Sequence, residues 1–277
     1  LKVTTALIEP HLMAGYSGGR KAVCPGLASV ETMKVMHGPG ILEHPAASTG
    51  ILDGNPFHEE ALEIARMAGV DFNLNVSLDE NRQVIGVFSG DINDAHREGC
   101  AFVEERVRVD VDPAPIVVTT CAGHPLDQTF YQAIKGPVGA LDAVQEGGSI
   151  LLMSACNEGI GSPPFEKLMH DTTDLKDFVE GLYDPAKFVI DQWQLEELAK
   201  VTRKASVYCF TDGIEDDVLK RLFVTPVSSP EDGIRRLLDH HGADARILAI
   251  PEGPYVMPVA GSQGQASQPE PPGKAGA

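Results

Sequence analysis

Three observations predict an α/β protein made of two α/β domains, with the active site in the interdomain cleft. Its 277 residues are enough for about two domains at roughly 150 residues each, and each could bury its own core. Apolar and β-branched runs such as Ile116-Val117-Val118 and Ile150-Leu151-Leu152-Met153 recur, each followed by a loop and then by helical spacing. That alternation is the pattern of a sheet whose strand ends hold ligands. Between the two parts lies Val111-Asp112-Pro113-Ala114-Pro115, where two prolines stop any helix and stiffen a short connection.

Taken in order, residues 3–8 form a short apolar run and residues 14–21 a glycine-rich stretch. A helix is expected over 29–36, because Ser29 is a good N-cap, Glu31 sits in the first turn and Gly38-Pro39 stops it. Gly54-Asn55-Pro56 reads as a turn into a second helix over 57–68. Its Ala61, Leu62, Ile64, Ala65 and Ala68 follow helical spacing, and Gly69 marks its end. Runs at 71–78 and 83–89 flank the turn residues Asp79-Glu80-Asn81-Arg82, which predicts a hairpin, and a helix over 93–106 follows. In the second part, strands are expected over 116–120, 149–155, 205–210 and 245–250, with helices near 131–135, 191–200, 214–222 and 230–240. From Gly261 onward the chain is Gly, Ser, Gln, Pro and Ala without periodicity, the composition of a disordered tail.

Charge excludes several functions. With 22 Lys+Arg against 40 Asp+Glu the formal charge is −18, and no basic block is present to cover a phosphate backbone or an anionic membrane surface, so neither nucleic acid nor membrane is an expected partner. The apolar runs fall far short of the roughly 18 residues that cross a bilayer. Five cysteines, an odd number without any Cys-x-x-Cys, predict the reducing cytoplasm. An anionic substrate would therefore need a local positive site, and Arg20, Lys21 and Lys135 are the available cations.

Three groups of residues could carry chemistry. The glycine-rich loop ending in Lys21 invites an anion, since glycines let backbone amides approach it closely. It does not match the Walker A loop, because Arg20 stands where the second Gly belongs and Ala22 follows Lys21. A tight loop with a solvated Arg-Lys pair fits equally well. His11, His37, His44 and His58 lie around that loop at spacings unlike a zinc site, and each taken alone reads as an ordinary surface or core histidine. Tyr131, Gln132 and Lys135 are spaced to share part of a helix face, where a hydroxyl, an amide and an ammonium would suit a carboxylate-bearing ligand. A capped amphipathic helix with an exposed lysine has the same spacing. These arguments alone reach an anion site between two domains.

A longer pattern goes further. His11-Leu12-Met13-Ala14-Gly15-Tyr16-Ser17-Gly18-Gly19-Arg20-Lys21-Ala22-Val23-Cys24-Pro25-Gly26, then Met36-His37-Gly38, Asp53-Gly54-Asn55-Pro56, and Pro125-Leu126-Asp127 through Tyr131-Gln132-Ala133-Ile134-Lys135-Gly136 together resemble the nickel-dependent lactate racemase family. Asp191-Gln192-Trp193-Gln194 and Pro251-Glu252-Gly253-Pro254-Tyr255 look like further family elements. The resemblance implies a 2-hydroxy acid racemase or epimerase that works by reversible hydride transfer through a 2-keto acid. It implies a nickel pincer nucleotide as cofactor, joined covalently to Lys21, with His37 as the remaining nickel ligand, and cofactor-synthesis enzymes as partners. His11 matches an acid/base histidine, and Lys135 a contact to the substrate carboxylate or the cofactor. Arg20, Tyr131, Gln132 and Trp193 match residues around the cofactor. The family's second catalytic histidine and an Asp-x-Gly-Thr-Arg-like phosphate-binding segment are expected upstream of residue 1. On that basis residues 1–111 are read as the remaining part of the first, catalytic domain, rejoined by about 245–258, with 112–244 as the second domain and 259–277 as the tail. A noncatalytic remnant or binding module with an incomplete site is the alternative.

Overall fold

The computed structural model describes residues 1–261. Strand β1 (Val3–Leu7) runs into two very short strands, β2 (Pro10–His11) and β3 (Gly15–Tyr16), which pair antiparallel with His11 opposite Gly15. Gly15 has a φ of +75°, and a Cβ there would run into the Ile51 carbonyl, so only glycine fits. Strand β4 (Phe72–Leu78) pairs parallel with β1 and antiparallel with β5 (Val84–Gly90), giving the sheet order β1-β4-β5. The helix Val30–Met36 begins where the Ser29 hydroxyl accepts the Thr32 N–H. The helix Pro56–Ala68 is capped by Asn55, whose side chain accepts the Phe57 and His58 N–H groups, and it is closed by Gly69 in the left-handed conformation.

After β6 (Arg108–Val111) the chain enters a doubly wound sheet. Strands β7 (Ala114–Thr120), β8 (Val144–Met153), β9 (Ser206–Phe210), β10 (Thr225–Pro226) and β11 (Ile247–Ile250) are all parallel, in the order β10-β9-β8-β7-β11. One face buries Phe130, Ile134, Phe165, Leu195 and Leu198 around Leu152 and Val207, and the other buries Leu237 of the helix Pro230–His241 against Ile116 and Leu151. Successive strands move away from β7 in one direction until β11 returns to its other side. The carboxyl end of β7 is therefore the switch point, where open α/β sheets hold ligands. The last strand, β12 (Met257–Ala260), leaves this sheet and pairs parallel with β6.

Three expectations need correction. The chain does not return to the first part at residue 245, because Ile247–Ile250 completes the second sheet and only Met257 onward pairs with β6. The tail expected from 259 does not start there, since Val259 and Ala260 belong to β12; the rest of that expectation, residues 262–277, lies outside the described residues. The helix expected near 131–135 is two short helices, Phe130–Ala133 and Lys135–Gly139, joined at Ile134. Among the described residues no helix is long and apolar enough to cross a membrane.

The turn Gly253–Tyr255 that follows β11 lies directly on the helix Lys135–Gly139. A Cβ at Gly253 would sit 2.7 Å from both Thr119 Oγ1 and the Thr120 carbonyl, and 3.1 Å from Gly136 Cα. Gly253→Ala is expected to destabilise the protein by about 1–3 kcal/mol through overpacking, read by urea unfolding. Wild-type stability in that variant would mean the turn is free to move off the helix.

Candidate active site

The short β2–β3 turn presents His11 to the glycine-rich loop. Its Nδ1 accepts the N–H groups of Met13 and Ala14, each at 3.2 Å, while Nε2 lies 2.6 Å from the Lys21 Nζ. Asn55 fixes this turn from behind, donating to the carbonyls of Met13 at 3.0 Å and Ile51 at 2.9 Å. The Phe57 ring brings the site together: the Lys21 Nζ lies 5.6 Å above it, and the His37 ring meets its edge at 5.3 Å. Sequence reasoning missed Phe57. The signal was present, because Asn55-Pro56 starts the helix that carries it.

His37 is buried and has a carbonyl partner for one nitrogen only. Its Nδ1 lies 3.3 Å from the Met33 carbonyl, so Nδ1 holds the hydrogen and Nε2 keeps its lone pair. Burial, with the nearby Lys21, lowers its pKa to about 4, which leaves a neutral imidazole at pH 7. A histidine whose second nitrogen is fixed by a backbone carbonyl is the usual form of a metal ligand. Among the described residues no cluster of three or more His, Cys, Asp or Glu could hold a metal, so any metal on His37 needs its remaining donors from elsewhere.

The second part of the molecule reaches this centre through Trp193 and the segment from Tyr131 to Lys135. The Trp193 ring lies 4.6 Å from that of His37, and its Nε1 donates to the Tyr131 hydroxyl at 2.8 Å. Burial and the neighbouring Asp191 push the Tyr131 phenol up to about 12. Gln132 presents a buried Oε1 with no partner among the described residues, an acceptor waiting for a donor. Lys135 and His11 line a common cavity of about 130 Å³ with Glu9 and Tyr255. Burial lowers the pKa of Lys135, against a pull from Cys121 and Glu9, and burial raises that of Glu9. Glu9 is a further residue of this cavity that the sequence did not mark, while Tyr255 ends a segment marked only as a family element.

Arg20 stands apart from the group around Phe57. It is completely buried, with its guanidinium turned away from Lys21 toward the carbonyls of Ala14 at 2.6 Å and Tyr16 at 3.0 Å, and toward His96 Nε2 at 2.8 Å. Adjacent residues in the tight turn Gly19–Ala22 point in different directions, so Lys21 faces the site and Arg20 the interior. Its part is to hold the loop. His44 is exposed, and His58 is buried beside His96 with centroids 6.2 Å apart; neither reaches the site.

Two outcomes follow. Arg20→Met leaves several buried acceptors without a donor and is expected to lose on the order of 3 kcal/mol in urea unfolding. Arg20→Lys should recover little of this, because one ammonium cannot span the separated carbonyls; wild-type stability in either variant would contradict the cage. The second outcome concerns acid. Burial holds His11 well below its usual pKa, His37 at about 4, and His58 and His96 at about 3. The unfolded chain therefore binds more protons at these sites below pH 6.5, and stability falls as pH drops from there. Glu196 and Glu197, raised by burial to about 8 and 7, oppose the trend, but four histidines outweigh two carboxyls. Unfolding free energies between pH 6.5 and 5 should fall, and a flat or rising profile would contradict the buried neutral imidazoles.

Comparison with known proteins gives these residues a context. The lactate racemase C-terminal domain family matches residues 109–257, and the lactate racemase N-terminal domain family matches residues 1–50. The chain is 33% identical over 259 residues to the lactate racemases of Thermoanaerobacterium thermosaccharolyticum and of Lactiplantibacillus plantarum, covering 93% of this chain and 61% of each relative. It thus spans about three-fifths of their length. The structure of the lactate racemase apoprotein from Thermoanaerobacterium thermosaccharolyticum superposes with a TM-score of 0.88 at 33% identity, covering 92% of this chain and 62% of that one. A Thermotoga maritima protein shares the fold at 19% identity, with a TM-score of 0.71 over 94% of this chain and 66% of its own. With a family model matched over more than half its residues, the chain belongs to the lactate racemase family.

Proposed function

We propose that this chain forms part of a racemase or epimerase of 2-hydroxy acids, and that it holds a nickel pincer nucleotide through Lys21 and His37. The observation that carries this reading is the grouping around Phe57: one lysine amine, one neutral imidazole with a free nitrogen, and Trp193 and Tyr131 closing over them from the second part. The residues fit the group. Lys21, with a pKa lowered to about 7 by burial and by Arg20 and Lys135, is a nucleophile able to form an amide-type bond at neutral pH. His37 supplies one nitrogen donor, which with sulfur donors suits square-planar nickel. The Gln132 Oε1 is a buried acceptor without a partner among the described residues.

When bound, the cofactor supplies the acceptor and donor of hydride. The protein's own residues do the rest. Lys135 binds the substrate carboxylate and fixes the carbinol carbon, and the His11 Nε2 exchanges the hydroxyl proton. A planar 2-keto acid held by its carboxylate can receive hydride on either face, which inverts the centre. The cavity walls at Leu126 and Tyr255 keep the substrate's remaining group in place. All five cysteines are free and buried, in keeping with a reducing cytoplasm, where the cofactor-synthesis enzymes would act.

The test is intact mass and nickel content of the natural full-length protein coexpressed with cofactor-synthesis enzymes, beside Lys21→Ala. A mass adduct with stoichiometric nickel that disappears in Lys21→Ala is expected. Its persistence in that variant would overturn the attachment site, and a folded protein with neither adduct nor nickel would favour the noncatalytic module. His11→Ala should keep the adduct and lose at least 100-fold in turnover, the usual range for removing an acid/base group being about 10²–10⁴.

A further inference from the structure

The hydrogen-bond pattern around His11 determines more than its position. Two backbone N–H groups, from Met13 and Ala14, both point at Nδ1. A ring nitrogen facing two donors carries no hydrogen of its own, so the hydrogen of the neutral ring is on Nε2. The Nε2–H then faces the Lys21 Nζ at 2.6 Å, and an ammonium, which has only donors, cannot accept it. The opposite assignment, an ammonium donating to Nε2, would place the ring hydrogen on Nδ1 against both amides.

We propose that His11 and Lys21 form a lock: while Lys21 is a free, uncharged amine it accepts the His11 Nε2–H, and acylation of Lys21 breaks the lock and frees His11 to act as a base. Acylation joins the Lys21 nitrogen to a carbonyl or thiocarbonyl carbon, and one amine proton leaves with the displaced group of the acyl donor. The resulting nitrogen has a delocalised lone pair and one hydrogen, so it donates and no longer accepts. It cannot face Nε2–H, and His11 must give up either this contact or the loop amides. In the locked state the one unprotonated nitrogen of His11 is spent on Met13 and Ala14, so the ring cannot take a proton through Nε2. The base is therefore withheld until the lysine has reacted.

The surroundings agree. Lys21 lies over the Phe57 ring, whose edge also meets His37, and Arg20 of its own turn and Lys135 of the helix Lys135–Gly139 add positive charge nearby. The carboxylate lining the cavity, Glu9, acts on Lys135 rather than on Lys21. Burial and positive neighbours both oppose an ammonium at this point.

The first part of the inference stands on the unloaded protein alone, while its meaning for catalysis rests on the proposed racemase reading. The test uses the unloaded, full-length protein and acetic anhydride as the acyl donor, which releases acetate. Nitrogen-15 spectra of the histidine rings, with His11 assigned through its contacts to the Met13 and Ala14 amides, should show the Nε2–H tautomer at pH 7.5. The rate of Lys21 acetylation, followed by peptide mass, should reach half its maximum at least about two pH units below the value near 10.4 of an ordinary lysine. After acetylation of Lys21, the His11 ring should lose that fixed tautomer. A protonated Nδ1 in the free protein, an ordinary lysine profile, or a His11 spectrum unchanged by acetylation would each overturn the lock. Absence of a nickel adduct in the coexpression experiment would instead remove the racemase reading and leave these spectra unaffected.

Discussion

The site depends on the burial of one charged side chain. A guanidinium removed from water is very costly unless its donors find acceptors, and the turn from Ala14 to Gly19 supplies them to both terminal nitrogens, while the buried Nε–H has no partner among the described residues. The carbonyls of Ala14, Tyr16 and Gly18 converge on Arg20, and His96 closes the cage from the helix Asp94–Val107 while its own Nε2 also lies 2.8 Å from the Ser17 carbonyl. Gly18 and Gly19 have φ of +80° and +53°, and a Cβ on Gly19 would meet the His96 ring. The glycines therefore serve the arginine first. Lys21 takes its direction from this arrangement, because once Arg20 is fixed inward the next residue of the turn has only the other side available.

The helix Gln192–Lys204 joins the two parts at their cores. Residues 192–199 are all buried, which is unusual for a helix that includes Gln192, Gln194, Glu196 and Glu197. Leu195 and Leu198 pack in the core of the second part, while Trp193 packs with Met13, Met36 and Phe57 of the first. Glu197 is paired with Lys200 at 2.6 Å, and burial raises the pKa of Glu196 to about 8 and that of Glu197 to about 7. A wedge of this kind ties the position of Tyr131 to that of His37 with a single indole between them.

Local features of the chain were legible where local chemistry decides them. Ser29, Asn55-Pro56 and Gly69 act through neighbours within four residues, and the helices they bound form where they point. The strand runs of the second part were readable because a sheet covered on both faces requires continuous apolar segments. Sheet membership was not, since nothing within 247–250 distinguishes pairing with β7 from a return to the first part; that choice is made by residues 131 positions away, Ile247 pairing with Ile116. Arg20 and Lys21 show the same limit at a smaller scale: composition names two cations, and only the cage says which one faces the site. The break at Ile134 lies where Pro137 has no N–H to give the Ala133 carbonyl, a local signal that helical spacing alone passes over.

Trp193 is the one tryptophan in the chain. Its indole N–H is engaged by Tyr131, and its ring lies against the imidazole of His37. An excited indole is quenched by electron transfer to nearby acceptors and shifts its emission with the polarity around it, so the intrinsic fluorescence of the whole molecule reports on this single seam. Protonation of His37, coordination at its free nitrogen, or separation of the two parts would each alter the same optical signal, and no label need be added to follow them.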